Sequence, residues 1–171
     1  MKKAGCYRIS NGVESSNREI LNNIKKGTTI ERIRDVFKMT HEVGIETVGF
    51  FMIGLPGETE KTMQETIDFA KELNPYFAKL GILTPLPGTE LFNDWDSRGY
   101  IISKEWSNYT YHNPRRIYTH PNLDWKTIHQ YYNKFFREYY LRPLFILRRL
   151  IEDLKKGMII RDFLAFLKID W

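Results

Sequence analysis

Polar and glycine residues follow three apolar segments of this 171-residue chain, at the points where predicted strands end. These residues are Glu14 and Ser15 in the first turn, Gly54, Gly57 and Glu58 in the second, and Thr84 and Thr89 in the third. In parallel α/β sheets and barrels, ligands bind where the strands end. The three turns therefore predict one shared binding edge, where backbone approach combined with a carboxylate suits the hydroxyl or amino groups of a nucleoside.

The second turn, residues 54–58, lacks both common phosphate-binding signatures. A Walker loop needs Lys followed by Ser or Thr, and a dinucleotide fingerprint needs GxGxxG, whereas this turn is Gly-Leu-Pro-Gly-Glu. Two interpretations of the carboxylates stay open at this point. Either Glu14 and Glu58 contact a shared ligand, or each favours the N-terminus of the helix that follows it while the glycines supply backbone conformations.

Cysteine and histidine are too few and too scattered to predict a metal site. The single cysteine, Cys6, forms neither an internal disulfide nor a CxxC site, and we expect it to fill a buried strand position. The four histidines are His41, His112, His120 and His129, and no two have the i, i+4 spacing of a helical metal site. We predict no metal ligand and no catalytic residue, and leave a substrate role open for His112 and His120.

The segments around the turns predict parallel βα units. Residues 6–9, 47–53 and 76–83 have strand-like composition, and each is followed at short spacing by a turn and a helical pattern. Residues 47–53 are continuously apolar without alternation, so we expect both faces of that strand to be buried. Short connections between parallel strands and helices favour right-handed crossovers.

The pattern changes after about Phe92. We divide the chain into a βα region at residues 1–92, an irregular connecting segment at 93–123, and a helical extension at 124–171 that is broken at Pro143 and ends in a short helix at Trp171. The composition, 42% hydrophobic and 27% charged, fits a globular protein. Because no segment approaches the roughly 20 apolar residues of a membrane span and no signal peptide is evident, we expect a cytoplasmic protein.

Three motifs in order closely resemble the second half of a radical S-adenosylmethionine domain. They are "AGCYRISNGVESSNREILNNIKKGTTIERI", "EVGIETVGFFMIGLPGETEKT" and "LTPLPGTELF". The most similar subgroup carries a cobalamin-binding domain upstream. The resemblance covers about residues 3–92 and implies an α/β fold, the last three parallel strands of a partial (βα)6 barrel, followed by the helical extension.

The resemblance also implies a cofactor site. Glu14 and Ser15 would lie near the ribose or methionine part of S-adenosylmethionine, after the family's fourth strand. Gly54, Gly57 and Glu58 would lie beside the adenine, after the fifth strand, although their spacing fits the family's GxIxGxxE pattern only loosely.

The chain departs from the family in one decisive respect. The CxxxCxxC motif that binds the [4Fe-4S] cluster is absent, and so are the first three strands. The resemblance therefore implies a fragment that supplies the ribose and adenine side of the site and is inactive by itself. The [4Fe-4S] cluster and cobalamin are expected only in a complete parent protein. We expect the first strand to be an exposed edge, which leads to self-association or to docking of a separate N-terminal half.

A second hypothesis is a non-catalytic binding module. Its basis is a set of basic residues among aromatic ones in the helical extension, namely Lys134, Arg137, Arg142, Arg148, Arg149, Lys155 and Lys156. Such a surface attracts nucleic acid or an anionic surface without sequence specificity. The alternative is that the aromatic stripe packs on the barrel and the basic residues form its solvated face.

Overall fold

The computed structural model describes residues 1–110 and 115–156. The strands in this part are β1 (Arg8–Glu14), β2 (Glu46–Ile53) and β3 (Phe77–Ile82). The helices are α1 (Arg18–Asn23), α2 (Ile30–Glu42), α3 (Glu60–Leu73), α4 (Glu90–Ser97), α5 (Trp125–Tyr140) and α6 (Pro143–Lys156), with short 3-10 helices at Lys2–Ala4 and Trp106–Asn108. All strands are parallel in the order β1-β2-β3, which confirms the predicted α/β fold with three parallel strands.

β1 begins later and extends further than predicted. Its pairing with β2 starts at Arg8 opposite Glu46, and the two side chains form a salt bridge at 2.6 Å. The strand then continues through residues that we expected to form a turn, because Ser10, Asn11 and Gly12 pair with consecutive residues of β2. Cys6 therefore lies before the strand and is only partly buried, so the prediction of a buried strand position for it was wrong.

The core lies on one face of the sheet. Helices α2, α3 and α5 pack against the sheet, and one buried cluster joins Phe51 and Leu80 to Met63 of α3 and Phe135 of α5. The predicted aromatic stripe of α5 is thus part of the core. Burial of these apolar side chains is the main force that holds the helical extension on the βα units.

The opposite face of the sheet is open. Gly12, Phe50 and Lys79 are in register on the three strands, and Phe50 is 39% exposed with the Lys79 ammonium 5.6 Å from the centre of its ring. The prediction that both faces of residues 47–53 are buried was therefore wrong at Phe50, although Val48 on the same face is buried. A continuous apolar run does not tell a two-sided strand from one whose second face remains uncovered in the described part of the chain.

The connecting region contains more structure than its composition indicated. Helix α4 crosses the boundary that we placed at Phe92, and an isolated bridge joins Ile101 to Tyr118. Helix α6 begins at Pro143. Proline is favoured at the first position of a helix, because an N–H group at that position would have no partner within the helix. The predicted helix ending at Trp171 and residue His112 lie outside the described residues. Among the described helices, none is both long and apolar enough to cross a membrane.

Candidate functional site

β1 ends in a bulge that redirects Glu14. Gly12 pairs with Phe50 and Glu14 pairs with the next residue, Phe51, so Val13 is an extra residue in the ladder. Glu14 has a φ of 63°, in the left-handed region that residues other than glycine rarely adopt. Such strained positions occur often at functional sites. The bulge and the unusual φ of Glu14 therefore make the end of β1 a candidate functional position.

The redirected carboxylate meets a lysine that sequence reasoning missed. Lys26 Nζ lies 2.8 Å from Glu14 Oε1, and the two side chains are 29% and 19% exposed. A Cβ atom on Gly12 would lie 2.7 Å from both of these charged atoms, so the ion pair lies directly over the bare backbone of Gly12. Lys26 follows α1 and precedes Gly27, and this position beyond a helix end was its only sequence signal.

Ser15 faces the interior. Its hydroxyl is fully buried, lies 3.3 Å from the hydroxyl of Thr66 in α3, and accepts a hydrogen bond from the N–H of Asn17 at 3.2 Å. These contacts join the end of β1 to α3 and to the start of α1. The cofactor contact predicted for Ser15 stays a prediction, and the structure gives its side chain a bridging position.

Glu58 also faces inward, under turn 54–58. Its carboxylate is fully buried, and Oε2 accepts a hydrogen bond from the N–H of Leu55 at 2.9 Å. Burial raises the pKa of Glu58 to about 7, and hydrogen bonds from Leu55 and Gly54 offset this effect in part. The cofactor contact predicted for Glu58 likewise stays a prediction, because its carboxylate holds the turn from within.

The turn needs glycine at both of the predicted positions. Gly54 and Gly57 have φ values of 76° and 86°, which glycine adopts without steric cost. Around Gly57 the turn packs against α1, since an added Cβ would lie 3.2 Å from Asn23 Nδ2. The second turn is therefore adjacent to the helix that follows the first.

The third turn completes this edge of the sheet. Thr89 caps α4 by accepting a hydrogen bond from the N–H of Phe92 at 3.2 Å, and Glu90 forms an ion pair with Lys25 at 2.5 Å. Lys25 precedes Lys26, so the ends of α1 and the third turn are joined beside the Glu14–Lys26 pair. The structure thus brings the three predicted turns together at the carboxyl edge of the sheet, where Glu14 is partly exposed and Glu58 is buried.

The histidines have separate surroundings. His41 Nε2 lies 3.1 Å from the hydroxyl of Thr47, and burial lowers the pKa of this imidazole. His120 lies under turn 54–58, where its Nε2 is 3.1 Å from the carbonyl oxygen of Leu55. Over residues 1–110 and 115–156, no group of three or more His, Cys, Asp and Glu side chains is arranged to hold a metal ion.

Several basic residues of the helical extension bind the extension to the βα units. Arg142 donates to the carbonyl oxygens of Tyr139 and Lys71 at 2.9 and 3.1 Å. The Arg149 guanidinium lies 4.2 Å from the centre of the Tyr76 ring. Arg142 and Arg149 therefore place part of the positive charge of the extension against the βα units.

Comparison with known proteins gives a family match for the first part of the chain. Residues 1–70 match the family model of the Radical SAM superfamily. The chain is 32% identical over 161 residues to an uncharacterized methyltransferase of Pyrococcus horikoshii, which covers 94% of this chain and 34% of that protein. It is 32% identical over 108 residues to the anaerobic magnesium-protoporphyrin IX monomethyl ester cyclase of Rubrivivax gelatinosus, which covers 63% of this chain and 20% of that protein.

A solved structure shows the same fold. Coproporphyrinogen III oxidase of Escherichia coli, described as a radical SAM enzyme, superposes with a TM-score of 0.55 at 21% identity over 81% of this chain and 28% of that chain. The resemblance to a radical S-adenosylmethionine domain, which was drawn from the sequence motifs, is confirmed. The chain spans about a third or less of the length of each of these three proteins.

Proposed function

We propose that this chain, whose residues 1–70 match the family model of the Radical SAM superfamily, supplies the ribose and adenine side of an S-adenosylmethionine site. The observation that carries the proposal is the Glu14–Lys26 ion pair, which lies over the bare backbone of Gly12 on the open face of the sheet. The pair combines an acceptor and a cation at the carboxyl edge, where parallel α/β folds bind ligands.

The chemistry of this pair fits the cofactor. Ribose hydroxyl groups donate hydrogen bonds, which the Glu14 carboxylate can accept, and the methionine carboxylate is a suitable partner for the Lys26 ammonium. Exchanging the ion pair for these ligand groups costs little, because a partly exposed pair contributes about 0–1 kcal/mol. In this proposal the backbone of turn 54–58 contacts the adenine, and the buried Glu58 carboxylate stabilises the turn through its hydrogen bond from Leu55.

The [4Fe-4S] cluster of the family does not fit the residues present. The family motif uses three cysteine thiolates and the chain has one cysteine, Cys6, which lies before β1. Reductive cleavage of S-adenosylmethionine needs electrons from that cluster. We therefore propose that this chain alone binds the cofactor without cleaving it, and that the cluster and any cobalamin belong to other parts of a complete protein.

For such a complete protein we propose methyl transfer as the reaction class. The relative that aligns with 94% of the chain, including the helical extension, is named a methyltransferase. The cyclase aligns with 63% of the chain. A methyltransferase assay on a complete protein that contains this chain tests the proposal, and formation of deoxyadenosine without any methylated product would contradict it.

The proposed partner is a second copy of this chain or a separate N-terminal half of the barrel. Among the described strands, β1 lies at an edge of the sheet, and in the described part of the chain Phe50 on the face beside Gly12 is exposed. Edge strands pair readily with other chains. Sedimentation at low micromolar concentration tests self-association, and a monomer over the whole concentration range would contradict it.

Calorimetric titration of the purified chain with S-adenosylmethionine tests the cofactor proposal. We expect binding that weakens at least tenfold in Glu14→Gln, because the amide removes the charge that faces the ribose and Lys26. Glu90→Gln is the matched control, since Glu90 forms an ion pair with Lys25 at the same edge. Lack of binding at millimolar ligand, or equal loss in both variants, would overturn the proposal.

The choice of ligand sharpens this test. Adenosine and 2′-deoxyadenosine differ only in one ribose hydroxyl, so a carboxylate that accepts from the ribose discriminates between them. The wild-type chain should prefer adenosine, and Glu14→Gln should reduce this preference. If the preference for adenosine is unchanged in Glu14→Gln, another residue contacts the ribose hydroxyl group.

A further inference from the structure

A segment from the connecting region crosses under turn 54–58, and we name residues 115–123 the strap. Tyr118 and His120 of the strap are buried, and both pack against Trp95 of α4 with ring centroids 5.0 and 5.8 Å from its ring. The bridge between Ile101 and Tyr118 fixes the strap from the other side. The strap is therefore a built part of the fold rather than a loose connection.

The imidazole of His120 joins the strap to the turn. Its Nδ1 accepts hydrogen bonds from the N–H groups of Asn122 and Leu123, both at 3.1 Å. Because Nδ1 accepts, the ring proton is on Nε2, which donates to the carbonyl oxygen of Leu55 at 3.1 Å. Burial lowers the pKa of His120, which favours this neutral form. One ring thus holds two backbone segments at a fixed separation.

Leu55 is held on both of its backbone polar groups. Its carbonyl oxygen accepts from His120, and its N–H donates to Glu58 Oε2 at 2.9 Å. Next to it, a Cβ atom on Gly54 would lie 2.9 Å from the hydroxyl oxygen of Tyr118. Tyr118 therefore limits the approach of the turn from below, while His120 and Glu58 fix the orientation of its first peptide groups.

We propose that His120 is a positioning residue for turn 54–58, and that the strap sets the shape of the adenine side of the cofactor site from outside the βα units. The inference rests on the proposed cofactor site. It assigns a role to a histidine that the βα motifs do not include. In this role His120 does not contact the ligand, because its two ring nitrogens are both occupied by backbone groups.

Two substitutions remove the hydrogen bonds of the two imidazole nitrogens one at a time. In His120→Asn, the side-chain oxygen can still accept from Asn122 and Leu123, but the side chain is too short to reach Leu55. In His120→Gln, the side-chain amide can donate to the Leu55 carbonyl, but no acceptor remains near the Nδ1 position. The pair of variants therefore tells loss of the turn contact from loss of the strap's internal contacts.

Amide hydrogen exchange measures the effect without a ligand. We expect the amides of Leu55 and Glu58 to exchange about fivefold faster in His120→Asn, the factor for one lost hydrogen bond of about 1 kcal/mol, and to remain near wild-type rates in His120→Gln. Amides of the β2–β3 ladder report on global stability. Thr119→Val is a control on the strap with little expected effect on these amides, since the side chain of Thr119 is exposed.

Titration with S-adenosylmethionine completes the test. Binding should weaken at least threefold in His120→Asn and stay within twofold of wild type in His120→Gln. Equal exchange rates in wild type and His120→Asn, or a loss in His120→Gln as large as that in His120→Asn, would overturn the inference. If the wild-type chain binds no S-adenosylmethionine, the proposed function fails, and the exchange rates alone decide whether His120 holds the turn.

Discussion

Two glutamates lie at or just after the ends of neighbouring strands, at the same edge of the sheet, yet their surroundings are opposite. Glu14 is redirected by a bulge, is partly exposed, and pairs with the ammonium of Lys26 over the open face. Glu58 is fully buried and bonds to the backbone of its own turn. Similar sequence contexts thus produced one carboxylate that a ligand can reach and one that stabilises the loop.

The two glutamates differ in the groups that replace water around each carboxylate. Glu14 keeps much of its charge stabilisation through Lys26 and solvent, so a ligand can replace the lysine at low cost. Glu58 has lost its solvation, and its Oε1 has no hydrogen-bond partner among the described residues. A buried carboxyl of this kind resists displacement. We therefore assign ligand contact to the first turn and turn geometry to the second.

The largest expected effect is on the second turn, in Gly54→Ala. The residue must adopt a left-handed φ, which costs about 1–2 kcal/mol, and its Cβ would lie 2.9 Å from the Tyr118 hydroxyl. Overpacking adds about 1–3 kcal/mol. We expect a loss of about 3 kcal/mol in the free energy of unfolding, measured by urea denaturation.

Gly44→Ala is the matched control for this prediction. Gly44 has a φ of 66° with no atom within 4 Å of its added Cβ, so only the backbone cost of about 1–2 kcal/mol applies. The difference between the two variants isolates the contact with Tyr118. Adding Tyr118→Phe to Gly54→Ala should recover part of the loss, and equal losses at Gly44 and Gly54 would contradict the steric role of the strap.

The buried carboxyl should make stability depend on pH. Because the pKa of Glu58 rises from 4.5 to about 7 on folding, the folded chain keeps this proton to a higher pH than the unfolded chain. The free energy of unfolding contributed by this group therefore falls as pH rises from about 4.5 to about 7, by about 2–3 kcal/mol. The difference between wild type and Glu58→Gln in urea denaturation across this range isolates the contribution of this group. A difference that is constant with pH would mean that folding does not raise the pKa of Glu58.

The contrast between the turns was only partly predictable from the sequence. Apolar strand patterns, glycine turns and caps are local signals, so the parallel strands and the set of edge residues could be predicted. The contact between Glu14 and Lys26 depends on a bulge, and the turn that contains Glu58 is bonded to a strap that starts about 60 residues later in the chain. Neither has a local sequence signal.

A smaller effect is expected on the first turn, in Gly12→Ala. The added Cβ meets only the flexible ends of Glu14 and Lys26, which can move apart, so we expect a loss of no more than about 1 kcal/mol. Affinity for S-adenosylmethionine should fall more clearly, because the ion pair is displaced. Gly81→Ala, where nothing lies within 4 Å, is the control. If Gly12→Ala lost as much stability as Gly54→Ala, the first turn would be as tightly packed as the second, which would contradict the difference between them.

The smallest expected effect is the coupling between Glu14 and Lys26 themselves. A partly exposed ion pair contributes about 0.2–1 kcal/mol, so Glu14→Gln, Lys26→Gln and the double variant should form a cycle with a coupling energy in that range. The coupling should also weaken with added salt. Urea denaturation at low and high salt measures both. A coupling energy above about 2 kcal/mol would mean that the pair is a structural bridge, and Glu14 would then act as Glu58 does, as a carboxylate that the fold cannot release to a ligand.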